Sequence, residues 1–140
     1  MTDPFQELLH QLGKVFHLAL HVDKHHACSI RVFDTLTLQL QLDISQEHLL
    51  LFAKIAEVPP GRFRENVMRE ALKANDLPDP AIAIFCYLAS TNQLALYQRY
   101  PISLLDGEKL AGLAGAFIET AKSWQEAIAH GQSAPASKKL

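Results

Sequence analysis

Hydrophobic and polar residues alternate in five segments of the chain, and this period of two predicts five β-strands. The clearest segment is "TLTLQLQLDI", where leucines take every second position and threonine, glutamine or aspartate lies between them. The other segments are "ACSIRVF" from Ala27, "HLLLFAKIAEV" from His48, "AIAIFCYLA" from Ala81 and "QLALYQRY" from Gln93. The third strand is apolar on both faces at 49–52, which predicts a central place in the sheet. The polar face of the second strand is predicted to meet water.

Apolar residues recur at helical spacing in three further segments. The first runs from Phe5 to Phe16, with Asp3 as predicted N-cap and Pro4 in the first turn. The second spans about 62–74 and is predicted to end with Asn75 in the left-handed conformation. The third follows an N-cap at Asp106 and keeps its apolar stripe to Ile128. Gly112 and Gly115 are expected to let this last helix approach a neighbouring element closely.

The order of elements is helix, three strands, helix, two strands, helix. Short turns at Asp34, at 45–47 and at 90–92 predict an antiparallel arrangement. The predicted fold is therefore α+β, with a twisted, antiparallel five-stranded sheet covered by helices. We expect one domain over 1–130 and a flexible tail over 131–140, because that tail is almost free of apolar residues.

Composition narrows the classes of function. Charged residues make up 20% of the chain and the formal net charge is -2. Such a weakly acidic chain is not expected to bind nucleic acid or an anionic membrane surface. No apolar run reaches the roughly 20 residues of a membrane span, and the N-terminal residues do not resemble an export signal. Cys28 and Cys86 lie in strand patterns and are predicted to be buried thiols.

The sequence offers no convincing site for catalysis or for a cofactor. His17, His21, His25 and His26 are close together, but the segment changes there from helix to loop, so we interpret it as a solvated connection and assign no metal ligand. The carboxylates are scattered, and no glycine-rich loop links a strand to a helix. The first two helices, however, carry more apolar surface than a core of so short a chain needs. One of them is therefore available to bind a partner.

Several local patterns, in this order, resemble the class I chaperones of bacterial type III secretion, the Tir chaperone family. They are "CSIRVFD", "LLLFAKIAEVPP", "VMREALKAN", "AIAIFCYLASTNQLALYQRYPI" and "AGAFIETAKSWQEAI" with its late Trp124. The resemblance covers the chain from Phe5 to about Ile128. It implies a cytoplasmic homodimer with no enzymatic activity and no cofactor.

The resemblance also implies partners and sites. The partners are a second copy and the N-terminal segments of one or more secreted effectors, which are kept unfolded and soluble and delivered for secretion; the ATPase of the secretion apparatus is a further candidate. The dimer interface is expected at Phe63, Val67, Met68, Ala71, Ile84 and Phe85. The effector, or client, is expected at the first helix and the edge of the sheet, at Phe5, Leu9, Leu12, Phe16, Ser29, Ile30, Arg31 and Val32.

Two other interpretations stay open at the level of sequence. A related α+β module could bind a folded partner or regulate transcription outside secretion. A small metal-binding protein could use the histidines between His17 and His26. Neither has a residue pattern as extensive as the chaperone resemblance, and fold by itself does not fix function.

Overall fold

The structure is a computed structural model that describes residues 4–76 and 83–135. It contains three α-helices, a short 3₁₀ helix and five strands, in the predicted order: α1 (Pro4–Phe16), β1 (Ala27–Phe33), β2 (Leu36–Leu42), β3 (His48–Glu57), α2 (Arg62–Asn75), β4 (Ile84–Leu88), β5 (Gln93–Pro101), the 3₁₀ helix (Ile102–Leu104) and α3 (Gly107–Ala129). The predicted α+β class is confirmed. The N-cap assigned to Asp3, most of the loop after Asn75, the first two residues predicted for the fourth strand and the last five of the tail lie outside the described residues.

All strand pairs of the sheet are antiparallel, and the strand order is β1-β2-β3-β5-β4. The predicted central place of β3 is confirmed. β1 and β4 form the two edges of the sheet, and a bulge between Arg31 and Phe33 interrupts the pairing near the end of β1.

The leucines of β2 pack into a single core under the helices. Leu36, Leu38 and Leu40 are at most 2% exposed, and they share this core with residues of α1 and α3 such as Leu9 and Phe117. Burying each such side chain contributes about 1.5–3 kcal/mol to folding. At the far end of α3, the ring of Trp124 packs on that of Phe85 in a tilted arrangement, with centroids 4.4 Å apart and an interplanar angle of 52°. The opposite face of β2 carries Thr37, which is exposed, and two half-buried glutamines.

Gln125 fastens the C-terminal half of α3 to the sheet. Its Nε2 donates to the carbonyl oxygens of Thr35 and Ile55, both at 2.9 Å, and the Thr35 hydroxyl donates to its Oε1 at 3.0 Å. The N-terminus of α3 is capped as predicted, since the Asp106 carboxylate accepts the N–H of Lys109 at 2.8 Å.

Two expectations for helix ends and glycines are wrong. Asn75 is the last residue of α2 and not a left-handed cap; Asp76 follows it with φ of -93°.

Gly112 and Gly115 face open space, since a Cβ atom on either would have no atom of another element within 4 Å. The close approach is made instead by Gly107, where a Cβ atom would lie 2.5 Å from the Cβ of Gln11 on α1. The Gly107 N–H also donates to Gln11 Oε1 at 2.9 Å.

Gly107→Ala is therefore expected to push α1 away from α3 and to lower the free energy of unfolding by about 1–3 kcal/mol. Gly112→Ala is the matched control in the same helix. Because nothing crowds Gly112, its replacement should raise stability by up to about 1 kcal/mol through helix propensity. Thermal unfolding followed by circular dichroism measures both. Equal melting temperatures for the two variants would contradict the close contact at Gly107.

The turn between β2 and β3 is organised by the carboxylate of Asp43. Partial desolvation by itself raises the pKa of this group, but hydrogen bonds from the Ser45 hydroxyl and from the N–H groups of His48 and Glu47, together with the His48 imidazole 3.2 Å away, lower it below its ordinary value. A lowered pKa in the folded state means that the carboxylate stabilises the fold above its unfolded pKa and loses this contribution as the pH falls.

Asp43→Asn should consequently reduce stability at neutral pH, and this loss should shrink as the pH falls through the lowered pKa of the folded carboxylate. Asp34→Asn in the neighbouring β1–β2 turn is the control, because no described hydrogen bond reaches that carboxylate. Urea unfolding at several pH values measures the difference. A loss of stability for Asp43→Asn that is the same at pH 2 and pH 7 would contradict this role.

Candidate functional site

The two edges of the sheet differ in how far they are blocked. The outer edge of β4 lies beside α2, and the side chain of Asn75 pairs with the backbone of this strand. It accepts the N–H of Phe85 at 2.8 Å and donates to its carbonyl oxygen at 3.1 Å. Asn75 thus takes the place of a neighbouring strand, and α2 covers this edge of the sheet. Further along β4, the guanidinium of Arg64 donates to the hydroxyl of Tyr87 at 2.8 Å.

Within residues 4–76 and 83–135, the outer edge of β1 is blocked only at its start. The N–H of Asp23 donates to the carbonyl of Ala27 at 2.8 Å, and the Asp23 carboxylate accepts the N–H of Ala27 at 3.1 Å. Since backbone groups alternate in direction along a strand, the N–H and C=O of Ser29 and Arg31 also point outward. No described residue bonds to them. The bulge after Arg31 ends this open edge, which is therefore about three residues long.

The client-binding residues predicted on α1 lie mostly inside the core. Phe5, Leu9 and Leu12 are 0%, 1% and 0% exposed, because α1 packs against α3 and fills the space above the sheet. These three side chains present no surface to a partner in this conformation. Phe16 is half-buried at the end of the helix.

The residues predicted on β1 divide between the two faces of the strand. Ser29 and Arg31 are exposed, whereas Ile30 is buried at 6% and Val32 is half-buried against the core. Ser29, Ile30 and Arg31 therefore lie at the open edge and Val32 lies in the bulge that ends it, with the apolar pair facing the helices and the polar pair facing the other side of the sheet.

A groove that the sequence patterns did not predict lies between α1 and the segment leading to β1. Its volume is about 890 Å³, and its walls include His10, Lys14 and His17 on one side and the segment 18–22 on the other. Leu18 at its rim is 50% exposed, and Val15 nearby on α1 is 43% exposed. The alternating apolar residues of "LALHV" were the available signal, but the surrounding histidines favoured interpretation as a polar connection.

The residues predicted for the dimer interface are likewise of two kinds. Val67, Ala71 and Phe85 are 0%, 3% and 8% exposed, because the inner side of α2 already packs on β4 and the core within one chain. Phe63, Met68 and Ile84 are half-buried and remain accessible. The most exposed apolar residue of α2 is Leu72, at 67%, which was not among the predicted interface residues.

The thiols and histidines are not arranged for chemistry. Cys28 is buried and Cys86 is half-buried, and desolvation raises the pKa of both thiols, which makes them weaker nucleophiles. In the described part of the chain, no three histidine, cysteine or acidic side chains converge closely enough to hold a metal ion. His17 and His26 instead adopt left-handed turn conformations, with φ of 57° and 58°. Over residues 4–76 and 83–135, no helix is both long enough and apolar enough to cross a membrane.

A sequence model of the Tir chaperone protein (CesT) family matches residues 7–125, which include almost every element described above. The chain belongs to this family. The family consists of chaperones and is not a family of enzymes. No curated protein sequence is significantly similar to the chain.

Solved structures show the same fold at low sequence identity. The type III secretion chaperone SycH of Yersinia pestis, in complex with a fragment of YscM2, matches with a TM-score of 0.65 and 12% identity over 84% of this chain and 96% of that one. A chain of the ExoT-SpcS complex of Pseudomonas aeruginosa matches with a TM-score of 0.65 and 18% identity, over 87% of this chain and 97% of that one. A chain of the ExsC-ExsE complex matches with a TM-score of 0.67 and 19% identity, over 89% of this chain and 96% of that one.

Proposed function

We propose that this protein is a cytoplasmic, homodimeric type III secretion chaperone that binds the N-terminal segment of one or more effectors, keeps it unfolded and soluble, and delivers it for secretion. Membership of the Tir chaperone family supports the class of function. The open edge of β1 is the structural observation that most directly supports a site for an extended polypeptide, and the groove between α1 and segment 18–22 offers further surface. We include the secretion ATPase as a second candidate partner.

An added client strand would pair with the outward backbone groups of Ser29 and Arg31. Four hydrogen bonds at about 1 kcal/mol net each give about 4 kcal/mol. Ordering five client residues costs about 5–10 kcal/mol, at 1–2 kcal/mol each. Edge pairing alone therefore fails to hold the client. Burial of apolar client side chains, at about 25 cal/mol per Å², supplies the rest, both against Ile30 at the edge and in the groove between α1 and segment 18–22.

No catalytic step belongs to this proposal. The raised pKa values of both thiols, and the lack of any metal-holding cluster of histidine, cysteine or acidic side chains among the described residues, agree with a binding protein. Backbone pairing is insensitive to the identity of client side chains, so the same edge suits more than one effector.

The dimer is proposed to form through the outer side of α2 and the adjacent part of β4. Met68 and Leu72, one turn apart, offer accessible apolar surface on one side of the helix, Phe63 offers it on the opposite flank, and Ile84 offers it on the strand. In a twofold interface each of these side chains is used twice, which doubles the area that the patch buries.

Purification of the untagged protein from the bacterium that produces it tests the proposed function. We expect a secreted protein to co-purify, with its N-terminal segment protected from protease by the chaperone and its remainder folded. Amide signals of that segment should show no independent fold when it is isolated. Recovery of a folded partner bound through a structured domain would instead indicate an interaction or regulatory module outside secretion.

A further inference from the structure

The open edge of β1 presents different chemistry on its two sides. On the side facing the helices, the side chains of Cys28, Ile30 and Val32 belong to or pack on the core, and Leu20 and Val22 of the preceding segment are half-buried against the same core. A strand added at this edge would meet an apolar wall on this side.

On the other side of the sheet the edge carries Ser29 and Arg31, both exposed. Arg31 is paired in register with Thr37 on β2. Lys54 on β3 lies two residues beyond Phe52, the partner of Gln39, and therefore shares the level of Thr37 and Arg31 in the sheet. Lys54 and Thr37 also line the same shallow cavity of about 310 Å³. Two strand spacings, about 10 Å, separate the backbones of Arg31 and Lys54.

Neither cation is neutralised within the described residues. No carboxylate among them lies within ion-pair distance of Arg31 or Lys54. The nearest acid along the chain from Arg31 is Asp34 in the next turn, and the nearest on this face from Lys54 is Glu57 at the end of β3; neither forms an ion pair with them. The edge at Arg31 is therefore positive and unpaired on this side.

We propose that Arg31 selects the sequence of the bound client strand: the client places a carboxylate beside Arg31 and apolar side chains beside Ile30 and Val32. Directly opposed residues on neighbouring strands have Cβ atoms about 5 Å apart, within reach of a guanidinium–carboxylate pair. A client lysine at that position would be repelled by Arg31 and, more weakly because of the longer distance, by Lys54. This inference rests on the proposed function and adds a specificity-determining residue to it.

Two synthetic peptides test the selection. Each has seven residues of alternating threonine and valine, with acetylated and amidated ends, and the central threonine is replaced by glutamate in one and by lysine in the other. Titrations followed by nuclear magnetic resonance give both the affinity and the location of binding. We expect the wild-type chain to prefer the glutamate peptide by about fivefold, and this preference to shrink as salt is raised. Arg31→Glu should reverse the preference and Arg31→Gln should abolish it.

Arg99→Glu is the matched control, because Arg99 is exposed on the same face but lies on β5, three strands from the edge. It should leave the preference unchanged. Equal binding of both peptides at β1, whatever residue 31 is, would overturn the selection by Arg31 and leave edge pairing intact. Absence of any backbone shift at Ser29 and Arg31 with either peptide would overturn edge pairing, and the selection with it.

Discussion

The double variant Met68→Glu, Leu72→Glu is expected to be a folded monomer. The two side chains are one turn apart on α2, Leu72 is 67% exposed and Met68 is half-buried. A twofold interface through this side of the helix would bury four unpaired carboxylates near its centre, at a cost of several kcal/mol. Sedimentation should give the mass of one chain, 15.6 kDa, for the variant and twice that mass for the wild type.

The control for this experiment is Ile44→Glu, which makes the same chemical change at a fully exposed apolar side chain in the β2–β3 turn. It should leave the dimer intact. Val67 is unsuitable as a test, because it is 0% exposed within one chain and a charge there would unfold the protein. A dimeric double variant would show that the subunits associate through another surface, and a monomeric wild type would remove the proposed dimer.

Ser29→Pro is expected to weaken binding of the co-purified effector segment by roughly tenfold or more. Proline removes the outward N–H of residue 29, which is worth about 1 kcal/mol, and its ring obstructs the incoming strand. Proline is tolerated on edge strands where the lost N–H does not serve the ladder, so β1 should still pair with β2. Isothermal calorimetry measures the affinity, and urea unfolding checks that the fold is retained.

Ser29→Ala is the matched control, since it removes the exposed hydroxyl and keeps the N–H. Its affinity should stay within about twofold of the wild type. If Ser29→Pro bound the segment as tightly as Ser29→Ala does, the client would not use the backbone of β1.

Much of the fold follows from local patterns in the sequence. The alternation in "TLTLQLQLDI" predicts β2 and its buried leucines because one face of a strand must be covered, and the two-sided apolar run at 49–52 predicts the centre of the sheet. The insertion of β5 between β3 and β4 is not predictable in this way, because it depends on pairing between segments that are distant in the sequence.

The candidate site was predicted less completely than the fold. A stripe such as Phe5, Leu9 and Leu12 looks the same in the sequence whether it faces the core or a partner. In the structure these side chains face the core, because α1 packs against α3. The closure of β4 by Asn75 joins residues ten positions apart through a side chain that is ordinary at a helix end. The contrast between the closed edge and the open one therefore emerges only from the structure.

Hydrogen–deuterium exchange on the natural complex is the most direct test of client pairing at the open edge. The protein is measured alone and with the effector segment that co-purifies with it. We predict slower exchange at the amides of Ser29 and Arg31 in the complex, with no change at Phe85, whose N–H is already held by Asn75. Unchanged exchange at Ser29 and Arg31 in a saturated complex would contradict the account.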